Sequence, residues 1–215
     1  PAVLFGATWL DIVHAPAWIG PLGLATAIMC AVTVFCTAKI YSTLKTIRAW
    51  NHPLVVPVYL AFAVASGGAL LTAIATIFGR FQIFQVILVV VALLWLIGLK
   101  FWYWRAIDSA ARTHTMAAAT GLGTGVRQWE VPHTSENYIM KEMGFAVARK
   151  HALKLRNSVF LLLLIALLAL AACLLSPWFS LVAAPVILVA AVVERWLFFA
   201  EAQHVVSLFY GAEKA

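Results

Sequence analysis

The segment LVVPVYLAFAVASGGALLTAIATIF, residues 54–78, contains no charged side chain. About 20 consecutive apolar residues are enough for a helix to cross a bilayer, so this segment predicts a transmembrane span. Similar apolar segments occur at residues 22–40, 84–101, 159–175 and 181–199. A shorter one, residues 2–10, would need residues before Pro1 to span fully. The sequence therefore predicts an all-α polytopic membrane protein with about six transmembrane helices, the first of them incomplete.

The composition is also that of a membrane protein. Hydrophobic residues make up 64% of the chain and charged residues 11%, whereas soluble domains are about half apolar and a quarter charged. The net charge of +7 does not indicate nucleic-acid binding, because the basic residues crowd beside the apolar segments. The three cysteines show no ligand spacing, and no two histidines are placed on facing helices in mid-membrane. We therefore expect neither a metal nor a haem in this chain.

The chain divides into three regions. Residues 1–104 carry four spans, 105–157 form a basic loop, and 158–215 carry two spans and a C-terminal tail. With alternating spans, the linker 41–53, the long loop and the C-terminus share one face. That face holds nearly all the lysines and arginines, and the opposite turns hold only Arg80. The positive-inside rule places the basic face in the cytoplasm.

Three local patterns predict helix ends and contacts. Lys100-Phe-Trp-Tyr-Trp-Arg105, at the end of the fourth span, is typical of an aromatic and cationic anchor at the membrane interface. Asn51 or His52 can cap the third span, with Pro53 in its first turn. The patch Ser66-Gly67-Gly68-Ala69 within that span lets another backbone come close.

The basic loop is a candidate docking surface for a soluble partner. Residues 136–156 predict an amphipathic helix, of which one side could lie on the membrane surface and the other meet the partner. The alternative is a connector that rests on the lipid headgroups. The candidate docking residues are Arg127, Lys141, Phe145, Arg149 and Lys150.

The last span contains ionisable residues. Glu194 lies about 20 Å into a hydrocarbon core of about 30 Å, counting from Leu181 at about 1.5 Å per residue. Charges at that depth are costly and need partners. Glu194 and Glu201 share a helix face, and Glu201 can reach His204. This column could move protons to or from a bound redox ligand, or its members could only pair with groups on neighbouring helices. The candidates for quinone or proton handling at this interface are Trp50, His52, Glu194, Arg195, Glu201 and His204.

Several of these segments resemble a known family. The segment Glu194-Arg-Trp-Leu-Phe-Phe-Ala-Glu201, with His204 and Leu208-Phe-Tyr-Gly211, resembles the last helix of membrane-anchor subunits of the dimethyl sulfoxide reductase type. Ile40-Tyr41 and Trp50 to Leu54 are similar to that family's short linker. The loop segments 125–127, 133–138 and 148–152 resemble a subgroup with an enlarged cytoplasmic loop, which includes the membrane subunit of the cytoplasm-facing sulfite dehydrogenase.

The resemblance implies the C-terminal part of an eight-helix anchor in a bacterial cytoplasmic membrane. Such an anchor exchanges electrons between ubiquinone or menaquinone and an iron–sulfur subunit, which serves a molybdopterin catalytic subunit. The family's first two helices, with its quinone-associated His-Leu-Gly-x-Pro segment, have no counterpart in this sequence. We expect sulfite oxidation with quinone as acceptor. The alternatives are a quinol-oxidising sulfoxide or other anaerobic reductase, a transporter, and a purely structural anchor.

Overall fold

Helices joined by turns make up the described part of the chain. The computed structural model describes residues 1–109, 115–123, 129–130, 150–203 and 208. Within them are seven α-helices, numbered here in chain order: α1 Ala2–Trp9, α2 Ile19–Ser42, α3 Val55–Ile77, α4 Ile83–Ser109, α5 Met116–Thr120, α6 Ala152–Ala172 and α7 Ser180–Ala200. Short 3-10 turns at Pro16–Trp18 and Pro177–Phe179 precede α2 and α7. These residues contain no β-strand.

Five of the helices are long and apolar enough to cross a membrane. They cover Pro16–Ser42, Val55–Ile77, Ile83–Ser109, Ala152–Ala172 and Pro177–Ala200. This confirms the all-α polytopic membrane fold, with one span fewer than the predicted six. The remaining predicted span corresponds to α1, which is helical but only eight residues long.

Both ends of the predicted 105–157 loop are helical. Helix α4 continues to Ser109, and α6 begins at Ala152. Hydrophobicity marks where a helix can be buried in lipid, but a helix can continue beyond that point with polar residues on its surface. The predicted amphipathic helix at 136–156 lies outside the described residues up to 149. Its last residues, from Ala152, form the first turn of α6.

Helix α3 packs against α4 and α7, and small residues line much of its buried face. The buried face contains Ala61, Ala65, Ala69 and Ala73. A Cβ atom added to Gly68 would lie 2.9 Å from Cγ2 of Val89 on α4. The small-residue patch predicted from the sequence therefore lies at a tight helix–helix contact.

The turn after α3 needs a glycine. Gly79 has a φ angle of +66°, in the left-handed region. Its N–H donates to the carbonyl of Thr76, and the N–H of Arg80 donates to the carbonyl of Ala75. This is a Schellman motif, which ends α3 and turns the chain back towards α4.

Helix α2 lies at the edge of the bundle. Ala38 is its only fully buried residue, and large apolar side chains such as Leu24, Ile28 and Phe35 are exposed. Helix α2 packs on α1 and α3, whereas α3, α4, α6 and α7 form the core.

One end of the bundle collects the described basic residues. The C-terminal ends of α2, α4 and α7 and the N-terminal ends of α3 and α6 meet there. We call this end the basic face, defined by Lys39, Lys45, Arg48, Arg105, Lys150 and Lys154. In the described part of the chain, Arg80 is the one lysine or arginine at the opposite end. The chain thus has the charge asymmetry that the sequence indicated.

Candidate functional site

Three charged side chains meet inside the bundle near the basic face. Lys100 on α4 donates to Glu194 on α7, with 2.5 Å between Nζ and Oε1. Arg195 Nε donates to the second carboxylate oxygen, Oε2, at 2.5 Å, and Arg195 Nη2 contacts the same oxygen. The side chains of Lys100 and Glu194 are 1% and 0% exposed. We call these three residues the buried charge cluster.

The cluster lies well inside the spans. Glu194 precedes the end of α7 at Ala200 by six residues, which is about 9 Å along a helix axis. Lys100 precedes the end of α4 at Ser109 by nine residues, or about 14 Å. The gap bordered by the cluster and its neighbours is too narrow for a water molecule. In the absence of water, the charged groups are stabilised by one another and by nearby aromatic rings.

Aromatic rings surround both cations. Lys100 Nζ lies 4.0 Å from the ring centre of Trp104 and 4.3 Å from that of Tyr103. The guanidinium carbon of Arg195 lies 3.9 Å from the ring centre of Tyr59. Cation–π contacts of this kind are strongest where water is excluded, so the rings compensate part of the lost hydration.

A second charged group lies closer to the basic face. Arg156 at the start of α6 donates from Nε to Glu201 at 2.8 Å and from Nη1 to Asp108 at 2.7 Å. Its guanidinium carbon is 5.4 Å from the ring centre of Trp104. We call Asp108, Arg156 and Glu201 the outer charge cluster. Trp104 thus contacts a cation of each cluster, and the two clusters form a column leading from the basic face into the bundle.

Trp50 holds the linker between α2 and α3 against α7. Its Nε1 donates to the carbonyl of Phe198 at 2.9 Å, and its ring stacks on Phe198 with centres 5.6 Å apart and an angle of 17°. Nearby, the hydroxyl of Tyr103 donates to the carbonyl of Ala49 at 2.9 Å. The linker is therefore fixed to both helices that carry the buried charge cluster.

His52 lies beside this linker contact. The N–H of Leu54 donates to His52 Nδ1 at 3.2 Å, in the turn before α3. The prediction that Asn51 or His52 caps this helix, with Pro53 in its first turn, is wrong, because α3 begins at Val55 and its N-cap is Leu54, with no side-chain cap hydrogen bond.

The ring of His52 meets Tyr103 edge to face, with centres 5.6 Å apart. Burial, with a smaller contribution from Arg48, lowers the pKa of His52 below its usual value.

Five aromatic rings pack together where α2, α3 and α7 meet. They belong to Tyr41, Trp50, Tyr59, Phe198 and Phe199, and neighbouring ring centres are 5.2–6.1 Å apart. Tyr41, Tyr59 and Phe199 are only partly buried. This aromatic cluster lies directly beside Arg195, whose guanidinium carbon is also 4.7 Å from the ring centre of Phe198.

The structure brings most of the predicted site residues to one place. Trp50, His52, Glu194, Arg195 and Glu201 all lie at the basic-face end of the bundle. The predicted His204 lies outside the described residues. Glu201 is described, and its carboxylate accepts a hydrogen bond from Arg156. Of the candidate docking residues, Lys150 is described and exposed. The others, Arg127, Lys141, Phe145 and Arg149, lie outside the described part of the chain.

The prediction that Lys100 lies at the membrane interface is wrong. Its side chain is buried against Glu194, because α4 continues for two further turns beyond it. Asp108 and Arg156, which pair in the outer charge cluster, were not among the predicted site residues. The burial of Lys100 could have been predicted from residues Phe101 to Ser109, which contain no helix-breaking residue. A helix that continues to Ser109 places Lys100 deeper in the span.

Comparison of the chain with protein-family models, with curated proteins and with solved structures gave no match.

Proposed function

We propose that this chain is the quinone-reactive membrane-anchor subunit of a molybdopterin oxidoreductase complex. In this proposal it passes electrons from an iron–sulfur subunit to ubiquinone or menaquinone during sulfite oxidation. Two considerations support the proposal: the resemblance of its last helix and linker to such anchors, and the column of charges within the bundle. The single observation that carries it is the buried charge cluster of Lys100, Glu194 and Arg195.

Quinone chemistry gives a reason for charges at this depth. Reduction of a quinone to a quinol consumes two electrons and two protons, and the headgroup reacts within or near the apolar layer. Burying ionisable groups within a membrane costs free energy, and such groups usually mark a pathway for ions or protons. The two clusters contain three carboxylates: Lys100 holds Glu194 in place, and Arg156 holds Glu201 and Asp108. The chain's own residues could therefore hold or move a proton between the basic face and the interior.

The basic face supports the partner part of the proposal. Lys39, Lys45, Arg105 and Lys154 are exposed there, and a cationic surface attracts a partner of opposite charge. By the positive-inside rule this face would be cytoplasmic. A catalytic subunit docked on it would then act on a cytoplasmic substrate, as in the sulfite-oxidising relatives that the sequence resembles.

The proposal is tested by purifying the native complex in mild detergent. We expect molybdenum and iron to copurify with the chain, and sulfite to drive reduction of a short-chain ubiquinone. Metals together with quinol-dependent sulfoxide reduction would retain the anchor but overturn sulfite as substrate. A chain that purifies alone and without metals would overturn the anchor itself.

The contribution of the buried charge cluster is tested in the same assay. Glu194→Gln keeps the shape of the side chain but removes its charge and its ability to accept a proton. We expect sulfite-dependent quinone reduction to fall at least tenfold, while sulfite oxidation with a soluble electron acceptor stays unchanged. Asp11→Asn, the same carboxylate-to-amide change at an exposed position at the opposite end of the bundle, is the matched control. Equal quinone reduction in the two variants would contradict a role for Glu194.

A further inference from the structure

One face of α4 is left uncovered by the other described helices. Helix α4 packs against α3 and α6 and contacts α7 through Lys100. Residues on its other side recur every three or four positions and therefore share one helix face. We call this the open face of α4, defined by Leu94, Trp95, Gly98, Phe101, Trp102 and Arg105. Because α4 is long and apolar enough to cross a membrane, this face meets lipid or another membrane helix.

Gly98 forms a notch at the centre of the open face. A Cβ atom added to this glycine would meet open space within 4 Å. Large apolar side chains stand on the turns before and after it. Trp95 is 65% exposed and Trp102 is 63% exposed, and Leu94 and Phe101 are exposed as well. The notch is therefore apolar, flanked by rings and open to the side, which suits a hydrocarbon chain.

Arg105 lies on the same helix face, nearer to the basic face. It precedes the end of α4 at Ser109 by four residues, which is about 6 Å along the helix axis. Its side chain is exposed, and no acidic side chain pairs with it within the described residues. The nearby acids, Asp108 and Glu201, are bound by Arg156 instead. A long cationic side chain near a helix end can extend to the lipid headgroups.

The order of these residues along α4 matches the order of groups in a phospholipid. Going inward from the basic face, Arg105 comes first, Trp102 lies about 4.5 Å deeper, and the Gly98 notch lies about 6 Å deeper again. A phospholipid presents its phosphate first, then its ester carbonyls, then its acyl chains. Arginine binds phosphate through charged hydrogen bonds, and tryptophan favours the interface, where its N–H can find an acceptor. The open face thus offers a partner to each part of the lipid.

We propose that the open face of α4 is a binding site for a phospholipid with an anionic headgroup. Such a site is independent of the proposed function. The guanidinium of Arg105 contacts the phosphate, and one acyl chain lies in the Gly98 notch between the flanking rings. An anionic headgroup binds more tightly than a zwitterionic one, because a zwitterion brings its own cation next to the phosphate and competes with Arg105.

The test measures lipid binding to the native protein, purified with any subunits that accompany it and delipidated in neutral detergent. Phosphatidylglycerol and phosphatidylethanolamine with identical acyl chains are titrated separately, and bound lipid is counted by native mass spectrometry. One cation near the membrane surface gives about a fivefold preference for an anionic lipid. We expect the wild-type protein to bind its first phosphatidylglycerol about fivefold more tightly than its first phosphatidylethanolamine.

Two variants separate the headgroup contact from the notch. Arg105→Gln should remove the preference for phosphatidylglycerol, whereas its control, Arg80→Gln, removes an exposed cation at the opposite end of the bundle and should keep it. Gly98→Leu fills the notch and should weaken the binding of both lipids. Its control is Gly67→Leu, because Gly67 also faces open space but lies on α3 away from these rings.

Three outcomes would overturn the inference. The first is a preference for phosphatidylglycerol that Arg105→Gln leaves unchanged, and the second is equal lipid binding by Gly98→Leu and Gly67→Leu. The third is a Gly98→Cys variant that cross-links to another membrane subunit in the native protein, beyond any cross-linking of the wild type, because a protein helix would then occupy the notch. A protein with the expected lipid binding but neither molybdenum nor iron would refute the proposed function and support this site.

Discussion

Replacing Glu194 by glutamine should destabilise the protein more than replacing Lys100 by methionine, although the two residues form one ion pair. In Glu194→Gln, two buried cations, Lys100 and Arg195, remain with no anion between them. Breaking a buried ion pair by removing one partner costs about 3–5 kcal/mol. In Lys100→Met, Glu194 keeps both contacts with Arg195, and these two charges sum to zero.

The expected loss for Lys100→Met is therefore smaller. It removes one charged hydrogen bond, worth about 1.5–3 kcal/mol, and methionine fills most of the same apolar space. A further comparison follows from the same charges. The double variant Lys100→Met/Glu194→Gln should be more stable than Glu194→Gln alone, because it removes one of the two repelling cations.

The assay is reversible unfolding of the detergent-solubilised protein with increasing sodium dodecyl sulfate, followed by circular dichroism. Lys154→Met, which makes the same chemical change at an exposed position of α6, is the control and should stay close to wild type. The reasoning would be refuted if Lys100→Met lost as much free energy of unfolding as Glu194→Gln, or if the double variant were the least stable.

Two further predictions concern helix packing and pH. Gly68→Ala should destabilise the protein by about 1–3 kcal/mol because its Cβ would meet Val89 Cγ2 at 2.9 Å. Gly67→Ala, where the added Cβ meets open space, should be neutral or slightly stabilising in the same unfolding assay. Since its folded-state pKa is lowered, His52 contributes stability that is present above its usual pKa of 6.5 and lost as the pH falls below it. Between about pH 7 and about pH 5, His52→Gln should lose less stability than the wild type in parallel titrations, and an equal loss would contradict this assignment.

The sequence predicted the transmembrane helices well, because apolar length alone specifies a span. The uncharged segment 54–78 became α3, Val55–Ile77, almost residue for residue. The predicted end of the fourth span, at Phe101, was eight residues short. Hydrophobicity falls where a helix leaves the lipid or meets a charged partner, and the sequence alone does not distinguish the two cases.

Part of the candidate site was also predictable from hydrophobicity alone. A charge as deep as Glu194 is conspicuous in an apolar helix, so its need for a partner was evident. The partner itself, Lys100, lies 94 residues earlier in the chain, among aromatic residues that equally suit an interface. Only the packing of α4 against the last helices decides that this lysine points inward. The role of Arg156 could not be predicted for the same reason. Its two partners, Asp108 and Glu201, lie at the ends of two other helices, and only the folded bundle brings the three side chains together.

The wide separation of Lys100 and Glu194 along the chain has a consequence for biosynthesis. At roughly 5–20 residues per second, the ribosome completes Glu194 roughly 5–20 s after Lys100. Throughout that interval α4 carries a cation without its carboxylate, which disfavours release of the helix into lipid. We expect α4 to stay near the translocon, or the Lys100 side chain to extend to the membrane interface, until α7 has been inserted. Insertion of the last helix then becomes the step that commits the nascent bundle to its final assembly, and chains that stop before it should be substrates for membrane proteolysis.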